Sequence, residues 1–149
     1  MSQHNVVDLN WRPPHAYIPG QTPRHDEGIF DQFKPNLSTS DKELDNCIAW
    51  QIGQVFFQEE YYWEAHEVFE PVWMVLPEPS VERQFVQGLI QIANGYLKMK
   101  MNRPKAALRL AHIARDLLPM KREGLVMGVA VAEMHLLVDH LEQIAENAI

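Results

Sequence analysis

The chain has 149 residues, 13 Lys+Arg against 20 Asp+Glu for a formal charge of −7, and 46% hydrophobic residues. That length suits a single domain able to bury a sizeable core, which excludes a staple-dependent miniprotein and a multidomain assembly. The single Cys47 excludes an internal disulfide framework, and the opening MSQHNVVDLNWRPP lacks the basic start and apolar run of a secretory signal, so a cytoplasmic protein with no membrane partner is expected.

Residues 1–38 read as an extended, Pro-rich arm. Pro13, Pro14, Pro19, Pro23 and Pro35 fall here, and Pro19-Gly20 and Thr22-Pro23 are turn signals. Trp11, Tyr17, Ile18, Ile29, Phe30 and Phe33 are too apolar for a solvated tail, so the arm is expected to lie over the body or a partner subunit, with residues 1–10 alternatively a disordered leader.

Residues 39–149 read as one helical-bundle domain. A first helix is predicted over 41–58, started by the capping-box pattern Ser40-Asp41-Lys42-Glu43 and striped by Leu44, Ile48, Ile52, Val55 and Phe56, with Cys47 a packed thiol inside it. A second, over 61–76, aligns Tyr61, Ala65, Val68, Phe69, Val72 and Leu76 on one face and Glu60, Glu64 and Glu67 on the other. Pro71 lacks the amide that would bond the Glu67 carbonyl and is expected to kink this helix or begin a new segment. Ser80 caps a third helix over 81–101, whose broad apolar face includes Phe85, Leu89, Ala93 and Tyr96. Asn102-Arg103-Pro104 makes a turn into a fourth, over 104–118, and a fifth is predicted over 128–147. No segment reads as a strand. The fold class is all-α, a bundle of about five helices preceded by the arm.

Charge is blocked along the chain: the balance is −1 over 1–39, −8 over 40–79, +7 over 80–122 and −5 over 123–149. A basic block between two acidic ones is expected to orient neighbouring helices. Nucleic-acid binding through Lys98, Lys100, Arg103, Lys105, Arg109 and Arg115 is disfavoured by the overall repulsion of phosphate.

Two segments hold the residues that could carry chemistry: Tyr61 to Glu70, followed by Trp73, and Phe85 to Ala93. His66-Glu67-Val68-Phe69-Glu70 resembles the H-E-x-x-H zinc helix with glutamate as the second ligand, and His66 and Glu70 stand about 40° apart on a helix. A divalent metal there would need a further ligand from another helix, with Gln91, His112 or His135 the conjectures. The favoured reading is structural. Gly88 and Gly95 would let a backbone approach the third helix, and a network of Glu64 or Glu67, His66, Gln87 and Gln91 would fix its register against the second. Acid–base use of glutamates near a histidine beneath Trp63 and Trp73 is the remaining option. No nucleophile, phosphate loop or cofactor fingerprint is present, so no cofactor is predicted, and His4, His15, His25, His112, His135 and His140 share no ligand spacing.

The two segments resemble domain-of-unknown-function family 309, small helical bacterial and archaeal proteins. The similarity lies in the aromatic-Glu-Ala-His-Glu pattern from Tyr62 to Glu70 with Trp73, in Gln87-Gly88-Leu89-Ile90-Gln91, and in Asn102 to Ala107. It covers roughly residues 43–118, and the arm from Tyr17 to His25 is similar to longer relatives. Pro71 departs from the family's usual acidic residue. The resemblance implies an all-helical bundle and no particular activity, with Glu64, His66, Glu67, Gln87 and Gln91 as motif residues of unknown role. The wide apolar face of the third helix and the aromatic arm, more than one layer of five helices covers, lead to the expectation of a non-enzymatic interaction or scaffold module that self-associates or meets an unknown protein partner. The alternative is a metal-dependent hydrolase or small-molecule-binding enzyme centred on His66, Glu67 and Glu70. Helices three and four also resemble a tetratricopeptide hairpin, but no 34-residue period recurs.

Overall fold

A computed structural model describes residues 9–34 and 44–149. The expected capping box at Ser40 to Glu43, the first residues of the predicted first helix and residues 1–8 of the expected 1–10 leader lie outside them. The described chain is an all-α bundle of five helices: α1 (Ile48–Gln58), α2 (Tyr62–Val75), α3 (Val81–Lys100), α4 (Pro104–Leu117) and α5 (Val131–Asn147). None of these helices is long and apolar enough to cross a membrane.

The bundle is built from successive neighbours, α1 on α2, α2 on α3, α3 on α4 and α4 on α5, with α5 returning to touch α3. The connections explain this order. α1 and α3 end in the same tight C-cap, in which a left-handed residue turns the chain: Glu60 (φ 67) and Asn102 (φ 60). Tyr61 N–H then reaches the Phe56 carbonyl at 2.8 Å, and Arg103 N–H the Lys98 carbonyl at 2.8 Å. These six-to-one bonds satisfy carbonyls that a helix end otherwise leaves bare. The Ser80 hydroxyl accepts from Arg83 N–H at 3.0 Å, so α3 starts where its cap residue indicated. Pro104 opens α4 at the first position.

Two boundaries differ from the sequence reading. Cys47 is not inside a helix; it is the extended residue (φ −69, ψ 153) before α1, and burial pushes its thiol above the ordinary range. α5 begins at Val131 rather than 128, because residues 125–130 form a small antiparallel hairpin that pairs Leu125 with Ala130 and Val126 with Val129. Its two-residue turn, Met127 (φ 51) and Gly128 (φ 73), has the twist that short hairpins favour. The buried Trp50 indole donates to the Met127 carbonyl at 2.7 Å and ties the hairpin to the core. α2 runs through Pro71 as one helix to Val75 and does not restart there.

Core packing centres on Trp50, Phe56, Phe69, Phe85, Ile92, Met134 and Leu141, all essentially inaccessible. The Phe69 ring fills the space where Gly53 lacks a side chain, so a Cβ at Gly53 would overlap three ring atoms. Gly88 faces α4 (Leu118 and the Ala114 carbonyl) and Gly95 faces Leu141 of α5, so neither brings α2 towards the glutamines. Acidic and basic blocks meet across neighbouring helices. Lys100 reaches Glu60 at 2.5 Å, and Arg115 reaches Asp139 at 2.7 Å and Glu142 at 3.0 Å.

Two outcomes follow from this packing. Gly53→Ala is expected to lower unfolding stability by about 1–2 kcal/mol in denaturant titration, since overpacking against a fixed ring outweighs roughly 1 kcal/mol of helix propensity. The Arg115 guanidinium holds Asp139 and Glu142 below the usual carboxylate range. Depressed carboxylates contribute stability that is complete above their unfolded values near pH 4 and is lost as the pH falls through the folded values. Arg115→Gln should therefore reduce the melting temperature at neutral pH and flatten its decline between about pH 5 and pH 3.

Candidate functional site

The motif on α2 distributes its side chains in two directions. Glu64 was expected on the polar face; instead it is fully buried. A buried carboxylate is costly unless it is paired and hydrogen-bonded, and the partners come from the arm. Glu64 Oε2 accepts from the Tyr17 backbone N–H at 2.6 Å and from His25 Nε2–H at 2.6 Å. The His25 side chain is 3% exposed.

Local chemistry of the arm explains how residues 17 and 25 arrive at one oxygen. Ile18-Pro19-Gly20-Gln21 is a β-turn closed by Gln21 N–H to the Ile18 carbonyl at 2.9 Å, with Gly20 in the left-handed region (φ 84) that such a turn requires after proline. The Thr22 hydroxyl accepts from Ile18 N–H at 2.7 Å and donates to the Ala16 carbonyl at 2.8 Å, folding the strand back. Gln21 donates to the Lys100 carbonyl at 2.8 Å, and Arg12 forms a two-pronged pair with Glu59 at 2.7 and 2.8 Å. Aromatic contacts complete the seat: Trp11 lies 5.4 Å from Phe33 and 6.2 Å from Phe56, and Trp63 lies 5.1 Å from Tyr17 and 5.8 Å from His25. The His15 ring covers His25 at 4.6 Å, held by its Nε2–H donating to the Pro23 carbonyl at 2.6 Å.

Two polar atoms of this clamp, His25 Nδ1 and Glu64 Oε1, are buried without a hydrogen-bond partner among the described residues. Beside it opens a cleft of about 380 Å³ lined by Tyr17, Pro19, Arg24, His25 and Trp63.

The other motif residues point elsewhere. His66 Nε2 contacts Glu70 at 2.8 Å, as their one-turn spacing allows, and His66 Nδ1 lies 4.0 Å from Glu67. Burial pushes the Glu67 carboxyl above its ordinary range, and Glu67 lines a small cavity of about 100 Å³ with Phe30, Phe33, Lys34 and Pro71. The expected network to Gln87 and Gln91 does not form: among the described residues neither glutamine hydrogen-bonds to Glu64, His66 or Glu67. α3 turns its glycine face to α4 and α5, and the arm takes Glu64. His112 pairs with Glu142 at 2.8 Å and His135 with the Pro119 carbonyl at 2.7 Å, so neither joins His66. No three His, Cys, Asp or Glu side chains converge as a metal-binding set among the described residues. The sequence reading missed His15, Tyr17 and His25. Its own turn signals at Pro19-Gly20 and Thr22-Pro23 imply a chain reversal that returns His25 towards Tyr17, which is the signal that was there to find.

A second feature lies on other elements. An apolar groove of about 370 Å³ runs between α1, α3 and α5, lined by Phe57, Leu89, Met134, Leu136 and Leu137, with Glu133 and His140 among its polar residues. Leu136 is 63% exposed. Next to the groove Tyr62 and Tyr96 stack at 5.2 Å, and burial pushes the Tyr62 phenol up to about 12 and that of Tyr96 upward too. The Tyr96 hydroxyl lies 2.7 Å from His140 Nδ1 and 3.3 Å from the Leu137 carbonyl oxygen, and so ties α3 to α5 at the groove's edge.

Residues 50–110 match the family model DUF309, a domain of unknown function, the family that the α2 and α3 motifs resemble. No curated protein matches the chain, and no solved structure does.

Removing one partner of a buried pair leaves the other uncompensated, so His25→Ala is expected to destabilise the fold by about 3–5 kcal/mol. It should also expose the arm to limited proteolysis within residues 9–34. Glu70→Ala, which removes a half-exposed partner of His66, should change the unfolding free energy from denaturant titration by less than about 0.5 kcal/mol. Equal effects of the two substitutions would contradict the clamp.

Proposed function

We propose, with residues 50–110 matching DUF309, that this protein is a non-enzymatic helical interaction module that self-associates through the groove between α1, α3 and α5. One observation carries the reading: apart from the buried Met134, the groove face of α5 runs Glu133, Leu136, Leu137, His140, an order that is its own complement when reversed. These positions share one helix face. In an antiparallel pairing about a twofold axis midway between Leu136 and Leu137, each Leu136 enters the other copy's groove. Glu133 of each copy then meets His140 of the other. A twofold interface uses the same patch on both subunits, so it needs this kind of self-complementarity. Tyr96 supports the pairing by holding the His140 ring through Nδ1, which leaves Nε2 to face the opposing glutamate. Exposed Leu136 and half-buried Leu137 beside an apolar hollow supply the desolvated centre that anchors interfaces.

Light scattering coupled to size exclusion is expected to give a dimer at micromolar concentration. Leu136→Glu should yield a folded monomer. Glu133→His and His140→Glu should each weaken the dimer, by about tenfold for a loss near 1.4 kcal/mol, and the double exchange should restore it. A wild-type monomer throughout the micromolar range, or a double exchange no better than the single ones, would overturn the reading.

A further inference from the structure

The cleft beside the Glu64–His25 clamp has what a ligand site needs and the self-association reading does not use it. Its walls are mostly apolar, Tyr17, Pro19 and Trp63, and its polar complement is small, Arg24 and His25. Its volume of about 380 Å³ falls within the range of small-molecule pockets, which combine apolar walls with a few convergent polar groups. Arg24 is exposed and makes no ion pair or hydrogen bond to another described residue, so its guanidinium is available at the cleft. His25 is the independent observation. Its side chain is 97% buried, one nitrogen is committed to Glu64 at 2.6 Å, and the other, Nδ1, is buried with no partner among the described residues. Native proteins rarely leave such an atom unanswered, and each instance calls for an explanation such as a role in catalysis or an unseen water or ion.

We propose that this cleft binds a small organic anion, a carboxylate on a flat apolar body. The carboxylate sits on the Arg24 guanidinium and accepts a hydrogen bond from His25 Nδ1–H, and the body lies against the Trp63 and Tyr17 rings. Arginine matches a carboxylate with two parallel N–H donors, and an aromatic body gains from edge or offset contact with Trp63. With both ring nitrogens protonated, His25 bridges two carboxylates, the buried one of Glu64 and the ligand's. The arm is then the ligand-bearing wall, because Tyr17, Arg24 and His25 all come from it and only Trp63 comes from α2.

Benzoate serves as the probe and inorganic phosphate as the comparator, which carries the charge without the flat body. Calorimetric titration of the full chain is expected to show one saturable benzoate site per chain and no saturation by phosphate. Arg24→Gln, at a position without a partner among the described residues, should keep the melting temperature and weaken benzoate at least tenfold. The His25 Nδ1 resonance in nitrogen-15 NMR should shift to a protonated position as benzoate saturates. Absence of saturable benzoate binding, equal binding of phosphate, an unaffected Arg24→Gln variant or an unmoved Nδ1 resonance would each overturn the proposal. None of these outcomes depends on whether the chain dimerises.

Discussion

The fully buried carboxylate of Glu64 is the constraint on which the rest of this structure depends. An ionised group taken out of water must be compensated by charge and hydrogen bonds at close range, and no neighbouring helix offers them to Glu64. The compensation comes from a segment about forty residues earlier, through one backbone amide and one imidazole. The arm therefore packs as part of the domain. Its own turn, closed by Gly20 and Thr22, exists to present Tyr17 N–H and His25 Nε2 to the same oxygen. Once the clamp is in place, Phe30 and Phe33 are carried over Phe56, and Phe33 becomes as buried as any core residue.

The same constraint divides the surface into two regions with different chemistry. Around the clamp, aromatic rings and histidines from the arm stand over the start of α2 and leave a cleft whose guanidinium, that of Arg24, has no partner among the described residues. Away from it, α5 crosses α3 and leaves Leu136 outside the core. There the aromatic group of Phe57, Tyr62 and Tyr96 closes the bundle from within while the groove stays open. The histidines illustrate the division. His25, His66, His112, His135 and His140 each contact a different partner, respectively Glu64, Glu70, Glu142, the Pro119 carbonyl and Tyr96. All but His66, whose partner lies one turn along α2, join separate segments pairwise, which is why their sequence spacing shows no shared pattern.

Charge blocks in the chain have a comparable explanation. Arg115 on α4 gathers Asp139 and Glu142 of α5, and Lys100 at the end of α3 reaches Glu60 at the end of α1. These are partly exposed pairs, and such pairs contribute little individually. They act on which helix lies beside which, and the apolar faces supply the stability.

The amino-acid sequence by itself determined the helices. Apolar residues at helical spacing, the Ser80 cap, the Asn102-Arg103-Pro104 turn and Pro104 at a first position act within a few residues, and each locates its element without help from elsewhere. It also determined that the arm is too apolar to be solvated. Tertiary structure alone decided which polar residue of the Glu-Ala-His-Glu turn is covered. Helical period assigns Glu64 to a face, but whether that face meets water depends on where residues 17 to 25 come to rest. It likewise decided that residues 125–130 form a hairpin rather than the first turn of α5, since the Trp50 indole holds the Met127 carbonyl from 77 positions away. The glutamines of α3 were misassigned for the same reason. Periodicity identifies a surface, and only the packed partner determines what that surface touches.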